Sequence, residues 1–344
     1  MSLLISTQSY QNDEPTLYGL LIEMDDTNGN ITRTLRIDTP VETSRSEERL
    51  KPGLRGLCQY QDKIFVASWN AIFIVDKVSF KVIDSLSHSW MSDVHGIYVN
   101  DDGIWVTSSL PDALLLYDFS GAPIASLWMS ETFVYQPNKP VDKSVDWRYR
   151  GKDFRGFREY HANNVDVKGN QVYLTGRGEN SHGRVIRFNK DRFIENKGVS
   201  DQELELVVQG LYGPHDGFWR NDLFWVTETM NSSIAGINEK GKVVIRKKVF
   251  GKDDQYERYS GIRGVLKVLK KRLKGKGGKM VTHWTRGLCM NDQHIFVGQS
   301  TWAGSTTSKG RVVKMSKDTE SVLDTFYIDI PNYPEPRIYQ VIEI

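Results

Sequence analysis

The stretch GPHDGFWRNDLFWVTET, residues 213–229, decides the fold. It reads as a loop ending on His215, a short strand, a tight Asn221-Asp222 turn, and a second strand that closes on Thr-Glu-Thr. Asn and Asp suit a two-residue hairpin connection because they tolerate the left-handed backbone such turns require. The same unit recurs as LRGLCQYQDKIFVASW (54–69), VHGIYVNDDGIWVTSS (94–109), YHANNVDVKGNQVYLTGR (160–177) and TRGLCMNDQHIFVGQS (285–300). A third strand follows each pair, as AIFIVD, ALLLYDF, RVIRFN, SIAGIN and RVVKMS, and a fourth often follows that, as in KVIDSL, PIASLWM and KVVIRKKVF. Apolar residues alternating with period two between Gly, Asn and Asp turns are half-buried antiparallel strands. Four such strands per unit of about 40 residues make a propeller blade.

The chain ends supply one more blade. LLISTQSY, TLYGLLIEMD and ITRTLRID give three strands, and the C-terminal RIYQVIEI matches the innermost strand of the other units. The expectation is therefore an all-β, six-bladed β-propeller over 1–344, read as a single domain, its last blade closed by the C-terminal strand. Closure in this way removes an open sheet edge. Two segments break the repeat, at about 126–159 and 250–283, and are read as insertions emerging on the channel-mouth face.

Composition narrows the class. The chain has 344 residues, 39% hydrophobic and 26% charged, with two cysteines, Cys58 and Cys289. Two cysteines make no disulfide framework and read as free thiols of a reducing compartment. With no basic leader or long apolar run, the expected location is cytoplasmic. The net charge of +2 hides an asymmetry: residues 262–279 carry eight Lys and Arg and no acid, leaving 37 basic against 43 acidic residues elsewhere. In that segment Ile262, Val265, Leu266, Leu269 and Leu273 fall at helical spacing with lysines around them, the pattern of a helix lying weakly on an anionic membrane. A solvated loop, a lid over the channel and nonspecific phosphate binding are the other readings, and nothing suggests sequence-specific nucleic-acid recognition.

In a propeller the first strand of each blade lines the channel, so the residue opening it sits at one rim. Those residues are Arg55, His95, His161, His215, Arg286 and Arg337. The ends of the second strands add Ser68, Ser108, Arg177, Glu228 and Gln299, with Asn163, Asn164 and Asp216 beside the histidines. Three imidazoles in equivalent register in adjacent blades, His95, His161 and His215, are a candidate site for a divalent metal: Zn, Mn, Fe or Ni. The competing readings are a metal-free polar site and simple strand capping. Arg55, Arg286, Arg337 and Arg177, with Asn163 and Asn164, are candidates for holding an anionic, small or saccharide-like substrate. Glu228, His161 and His215 are the candidate proton-moving residues. Arg148, Arg150, Arg155 and Arg158 could add charge from the loops, and Trp69, Trp147, Trp284 and Trp302 could stack on a ligand ring, whereas Trp105 and Trp225 read as core.

The segments HANNV, GLYGPHDGFWRNDLFWVTET and WTRGLCMNDQHIFVGQS resemble the repeat motifs of an uncharacterised family of bacterial propellers, with His161, His215 and Arg286 on motif positions. That family implies the fold and no reaction; Asn164 and Asp216 depart from its Gly and Ser. More distantly the architecture is similar to virginiamycin B lyase, the gluconolactonase group and oligogalacturonate lyase, which implies metal-assisted chemistry on lactones or uronic acids. The expected activity is thus a metal-dependent lyase or hydrolase. The alternative is a non-catalytic propeller that binds an acidic partner or membrane through its Arg-rich face and basic insertion.

Overall fold

The computed structural model describes the chain except for residues 9–16, 40–52, 134–140, 150–159, 179–182, 250–282, 302–309, 319–320, 332 and 334–336. Six four-stranded antiparallel sheets form the blades of a propeller. Blade 1 is β24 (Arg337–Glu343), β1 (Ser2–Gln8), β2 (Leu17–Asp25) and β3 (Ile31–Thr39), so the C-terminal strand closes the ring as expected. Blade 2 comprises β4 (Leu57–Tyr60), β5 (Lys63–Ala67), β6 (Ile72–Asp76) and β7 (Lys81–Leu86). Blade 3 comprises β8 (Val94–Asn100), β9 (Gly103–Ser108), β10 (Ala113–Tyr117) and β11 (Pro123–Trp128). Blade 4 has β12 (Ala162–Lys168), β13 (Gln171–Gly176), β14 (Gly183–Asn189) and β15 (Glu205–Leu211). Blade 5 has β16 (Phe218–Arg220), β17 (Leu223–Glu228), β18 (Ser233–Ile237) and β19 (Val243–Lys248). Blade 6 has β20 (His283–Met290), β21 (His294–Thr301), β22 (Arg311–Ser316) and β23 (Val322–Tyr327).

The opening motif behaves as its residues require. Asn221 and Asp222 both take positive φ, 49° and 59°, the geometry of a type I′ turn whose twist matches that of the strands it joins. Burial is organised between blades. The hydrophobic side chains form one cluster at each blade-blade interface; Ile72, Ile74 and Phe65 of blade 2 meet Ile97, Val106 and Leu115 of blade 3, for example. Trp105 belongs to the interface of blades 3 and 4 and Trp225 to that of blades 5 and 6, as core residues. Trp147, read as a possible ligand-stacking residue, is instead buried in the core between blades 2 and 3.

The first insertion begins later than expected, because Ala125–Trp128 complete β11; single 3-10 turns follow at Met129–Glu131 and Trp147–Tyr149. The second insertion lies outside the described residues but for His283, the first residue of β20. Neither cysteine is in a disulfide. No helix among the described residues is long and apolar enough to cross a membrane.

Candidate functional site at the channel mouth

The innermost strands do not begin in the register that the repeated letters suggest. Those of blades 1, 3, 4 and 6 carry a β-bulge near their entry: two residues lie between Val94 and Ile97 where one lies between Val106 and Ser108, and Thr285 to Leu288 repeats the pattern against Val297 to Gln299. Such a bulge re-aims the side chain it carries. Hydrogen bonds then fix the equivalences. In blade 3 the Gly96 amide donates to Thr107 Oγ1, in blade 5 the Asp216 amide donates to Thr227 Oγ1, and in blade 1 the Gln340 amide donates to Ser6 Oγ. The preceding residues, His95, His215 and Tyr339, are therefore equivalent. In blade 4 the pairs Asn164 with Thr175 and Val165 with Leu174 place Asn163 in that position. The pair Leu57 with Val66, and Leu288 with Val297, add Arg55 and Arg286. The ring is Tyr339, Arg55, His95, Asn163, His215 and Arg286.

This corrects the reading of three histidines in one register. His161 lies two positions upstream, level with Asp93, Gly213 and Gly53, all four at positive φ (52°, 54°, 62° and 112°). Arg337 likewise stands two positions before Tyr339. The sequences VHG and YHA look alike, but the extra residues of HANN move the histidine out. Its backbone is held there by Asp112, whose buried carboxylate accepts the N–H groups of Tyr160, His161 and Ala162 at 3.0 Å each. The His161 ring still meets His95 edge-on at 5.0 Å, with His215 6.4 Å from His95. Arg177 is shifted by one: Gly176, not Arg177, pairs at the level of Ser108 and Glu228.

His95 and His215 share two kinds of partner at Nδ1 and differ in where an arginine meets the ring, at Nδ1 in His95 and at Nε2 in His215. Each Nδ1 lies against a carbonyl two residues upstream, Asp93 O at 2.6 Å and Gly213 O at 3.1 Å, and against a hydroxyl fourteen residues downstream, Ser109 at 2.9 Å and Thr229 at 2.8 Å. Those hydroxyls donate onward to the carbonyls of Ala162 and Thr285 in the next blade, so they accept from Nδ1–H. The carbonyl and hydroxyl partners assign the Nδ1–H tautomer and leave Nε2 as the lone-pair atom; Arg55 Nη1, 3.2 Å from His95 Nδ1, is then a close approach of two donors and not a hydrogen bond. Burial holds both imidazoles well below their ordinary pKa, aided at His215 by Arg286 and Arg177; at His95 the Asp93 carboxylate opposes burial and Arg55 assists it. Both are neutral at pH 7.

The donor set does not suit a metal. Arg286 Nη2 lies 3.1 Å from His215 Nε2 and occupies its lone pair, while Nδ1 carries the proton. His95 Nδ1 is committed in the same way, His161 stands out of register, and arginines crowd the ring. Among the described residues no group of three or more His, Cys, Asp or Glu is placed to hold one ion.

The arginines differ from one another. Arg55, 1% exposed, pairs with Asp93 at 2.5 Å. Arg286, also buried, has no carboxylate in ion-pair range among the described residues; its guanidinium lies 4.8 Å from the Trp284 ring and 4.9 Å from Tyr339. The Arg55 guanidinium similarly lies over Trp69 at 4.9 Å and 5.7 Å from Tyr339. Tyr339, which sequence reasoning passed over, therefore stands between both guanidinium groups and the His95 ring, 5.6 Å away. Its signal was the repeat itself, since RIY aligns with the other entries only once the bulge is counted.

Other candidates serve the walls. Asn164 donates to Gly217 O at 2.6 Å, Asp216 accepts from Gly287 N at 3.0 Å, and Gln340 accepts from Leu57 N at 2.5 Å, each tying its inner strand to the next. Burial pushes Asp216 up to about 6. Glu228 is fully buried and saturated by Tyr212 N, Ser233 Oγ and a bidentate Arg246 at 2.8 and 3.0 Å. Arg148 forks onto Asp146 at the surface. Arg150, Arg155, Arg158, Trp302 and the basic segment 262–279 lie outside the described residues. Beyond the ring the channel continues into a cavity of about 310 Å³ lined by Tyr98, Asp166, Trp219, Glu343 and both cysteines.

Fold and site together define a six-bladed β-propeller with a polar, arginine-bearing channel mouth. Its solved likenesses include a protein of unknown function from Bacteroides caccae, at 8% identity and TM-score 0.55, over 99% of this chain and 97% of that one. A chain of a nidogen/laminin complex is similar at 9% identity and TM-score 0.58, over 99% of this chain and 98% of that one. At such identity these likenesses show the fold alone. No protein-family model matches the chain. No curated protein matches it in sequence.

Proposed function

We propose that this propeller binds a small anionic molecule at the mouth of its channel, held by Arg286, with Arg55 also against the Tyr339 ring. The observation that carries the reading is Arg286: a buried guanidinium with no carboxylate partner among the described residues and a buried, unpartnered Nε. An unpaired buried cation costs several kcal/mol, so an anion that pairs with it gains that penalty back. A guanidinium edge suits a carboxylate, with two parallel N–H donors in one plane. The neutral histidines act as hydrogen-bonding groups, and no step is assigned to a metal because His215 has no lone pair to offer one.

A catalytic version, elimination or hydrolysis beside the bound carboxylate, rests on His95. Its hydrogen-bond partners among the described residues, Asp93 O and Ser109 Oγ, are both on Nδ1, which leaves Nε2 open to accept a proton from a ligand. Calorimetric titration with small carboxylates, sulfate and phosphate, on wild type and Arg286→Met, tests the binding. Saturable binding by wild type, weakened at least tenfold in a folded Arg286→Met, is expected. Equal affinity in both proteins would place the anion elsewhere.

A further inference from the structure

The corrected ring is divided by hydrogen-bonding character. On one side stand Arg286, Tyr339 and Arg55, from blades 6, 1 and 2, which are consecutive around the channel. Facing them are His95, Asn163 and His215, from blades 3, 4 and 5. The first three are donors. Tyr339 belongs with them because burial drives its phenol pKa upward and keeps the hydroxyl protonated. The second three carry acceptors: Nε2 of His95 by its tautomer, Oδ1 of Asn163 because its amide nitrogen donates to Pro214 O at 2.6 Å, and Nε2 of His215, whose lone pair Arg286 Nη2 already takes at 3.1 Å. Flipping that amide would set two oxygens against each other, so its orientation is determined.

On this ring Arg286 Nε, Tyr339 Oη and Asn163 Oδ1 are buried polar atoms with no hydrogen-bond partner among the described residues. Their side chains are at most 7% exposed. Buried polar atoms are nearly always satisfied, and three idle atoms on one pseudo-symmetric ring are a concentration of unmet demand. Two are donors from adjacent blades 6 and 1, and the third is an acceptor from blade 4, directly across the channel from blade 1. His95 Nε2, in the blade next to that of Asn163, is a second acceptor with no hydrogen bond among the described residues.

We propose that the occupant is a short two-ended molecule: a carboxylate against Arg286 Nε and the Tyr339 hydroxyl, and a hydroxyl or ammonium donor near that carboxylate against Asn163 Oδ1 and His95 Nε2. The class is a 2-hydroxy or 2-amino carboxylate. A plain carboxylate meets only the donor half and leaves Asn163 Oδ1 buried and idle. A fully deprotonated inorganic anion such as sulfate has no donor to offer the acceptor half at all. Tyr339 and Asn163 are thereby the specificity-determining residues, one for each end. This proposal rests on anion binding at Arg286 and adds the second recognition element.

The test is a titration with paired probes differing by one group, glycolate against acetate and glycine against acetate, followed by protein-observed NMR and calorimetry. Wild type is expected to bind glycolate or glycine at least tenfold more tightly than acetate, about the worth of one good hydrogen bond. Tyr339→Phe, which keeps the packed ring, weakens all three probes by about tenfold. Asn163→Ala, checked for folding by far-UV circular dichroism, removes the advantage of glycolate or glycine and leaves acetate affinity in place. Failure of every carboxylate to bind wild type would refute the anion site and this proposal with it. Equal binding of the three probes, with Asn163→Ala indistinguishable from wild type, would overturn the two-ended ligand alone and leave the anion site standing.

Discussion

Replacing Glu228 by Gln separates a structural carboxylate from a catalytic one. Glu228 stands at the end of β17, where a general base would be sought, yet it is fully buried and accepts four hydrogen bonds. In Glu228→Gln one carboxylate oxygen becomes an NH₂ group, which must face either Arg246 Nε or Nη2, donor against donor. Removing one partner of a buried pair costs about 3–5 kcal/mol. Arg246 is 39% exposed and can turn to water, so solvent screening cuts the expected loss to roughly 2 kcal/mol. With an unfolding entropy of about 2.1 cal/mol/K per residue, that lowers the melting temperature by roughly 3 °C. Urea unfolding measures the loss, and titration with glycolate should show affinity within twofold of wild type. A stability change below about 0.5 kcal/mol together with lost binding or activity would refute the reasoning and restore Glu228 to the ligand.

Asp112→Ala should be more damaging, at roughly 3 kcal/mol or more, because three buried N–H groups lose their acceptor at once; thermal unfolding checks this, and tolerance of the change would mean His161 is positioned by other contacts. Gly96→Ala is expected to disrupt the ring, since a Cβ there would lie 2.7 Å from both the backbone oxygen of Asn163 and Cα of Asn164; a variant as stable as wild type would deny the tight strand approach. The pH dependence carries opposing signs. His95 and His215, with depressed folded pKa values, give stability that is present above about pH 6.5 and lost on acidification. Asp216, raised to about 6, takes up its proton first in the folded state and so offsets part of that loss as the pH falls through 6. Asp216→Asn should therefore lose roughly 1.3 kcal/mol more than wild type between pH 7 and pH 5, read from urea midpoints; equal losses would show that Asp216 keeps an ordinary pKa.

The sequence by itself determined the blades. Alternation in FWVTE and IWVTS, the Asn221-Asp222 turn and the five repeated hairpins are local signals, set by backbone preference and by which face is buried. The match of RIYQVIEI to the inner strands also gave the closure of blade 1, because each repeat lacks nothing but its complement. Only the tertiary structure decided the ring. HANN carries two more residues than HG ahead of the paired apolar residue, so His161 read as the equal of His95 and His215 when Asn163, two positions on, holds that place. Glu228 and Arg246 are eighteen residues apart in sequence and opposed in space, and nothing in either local pattern announces the pair. Tyr339 becomes a channel residue because the last strand meets the first, bringing it against Arg55 and Arg286. Side-chain partners across blades depend on register and closure, which are properties of the whole ring and of no single repeat.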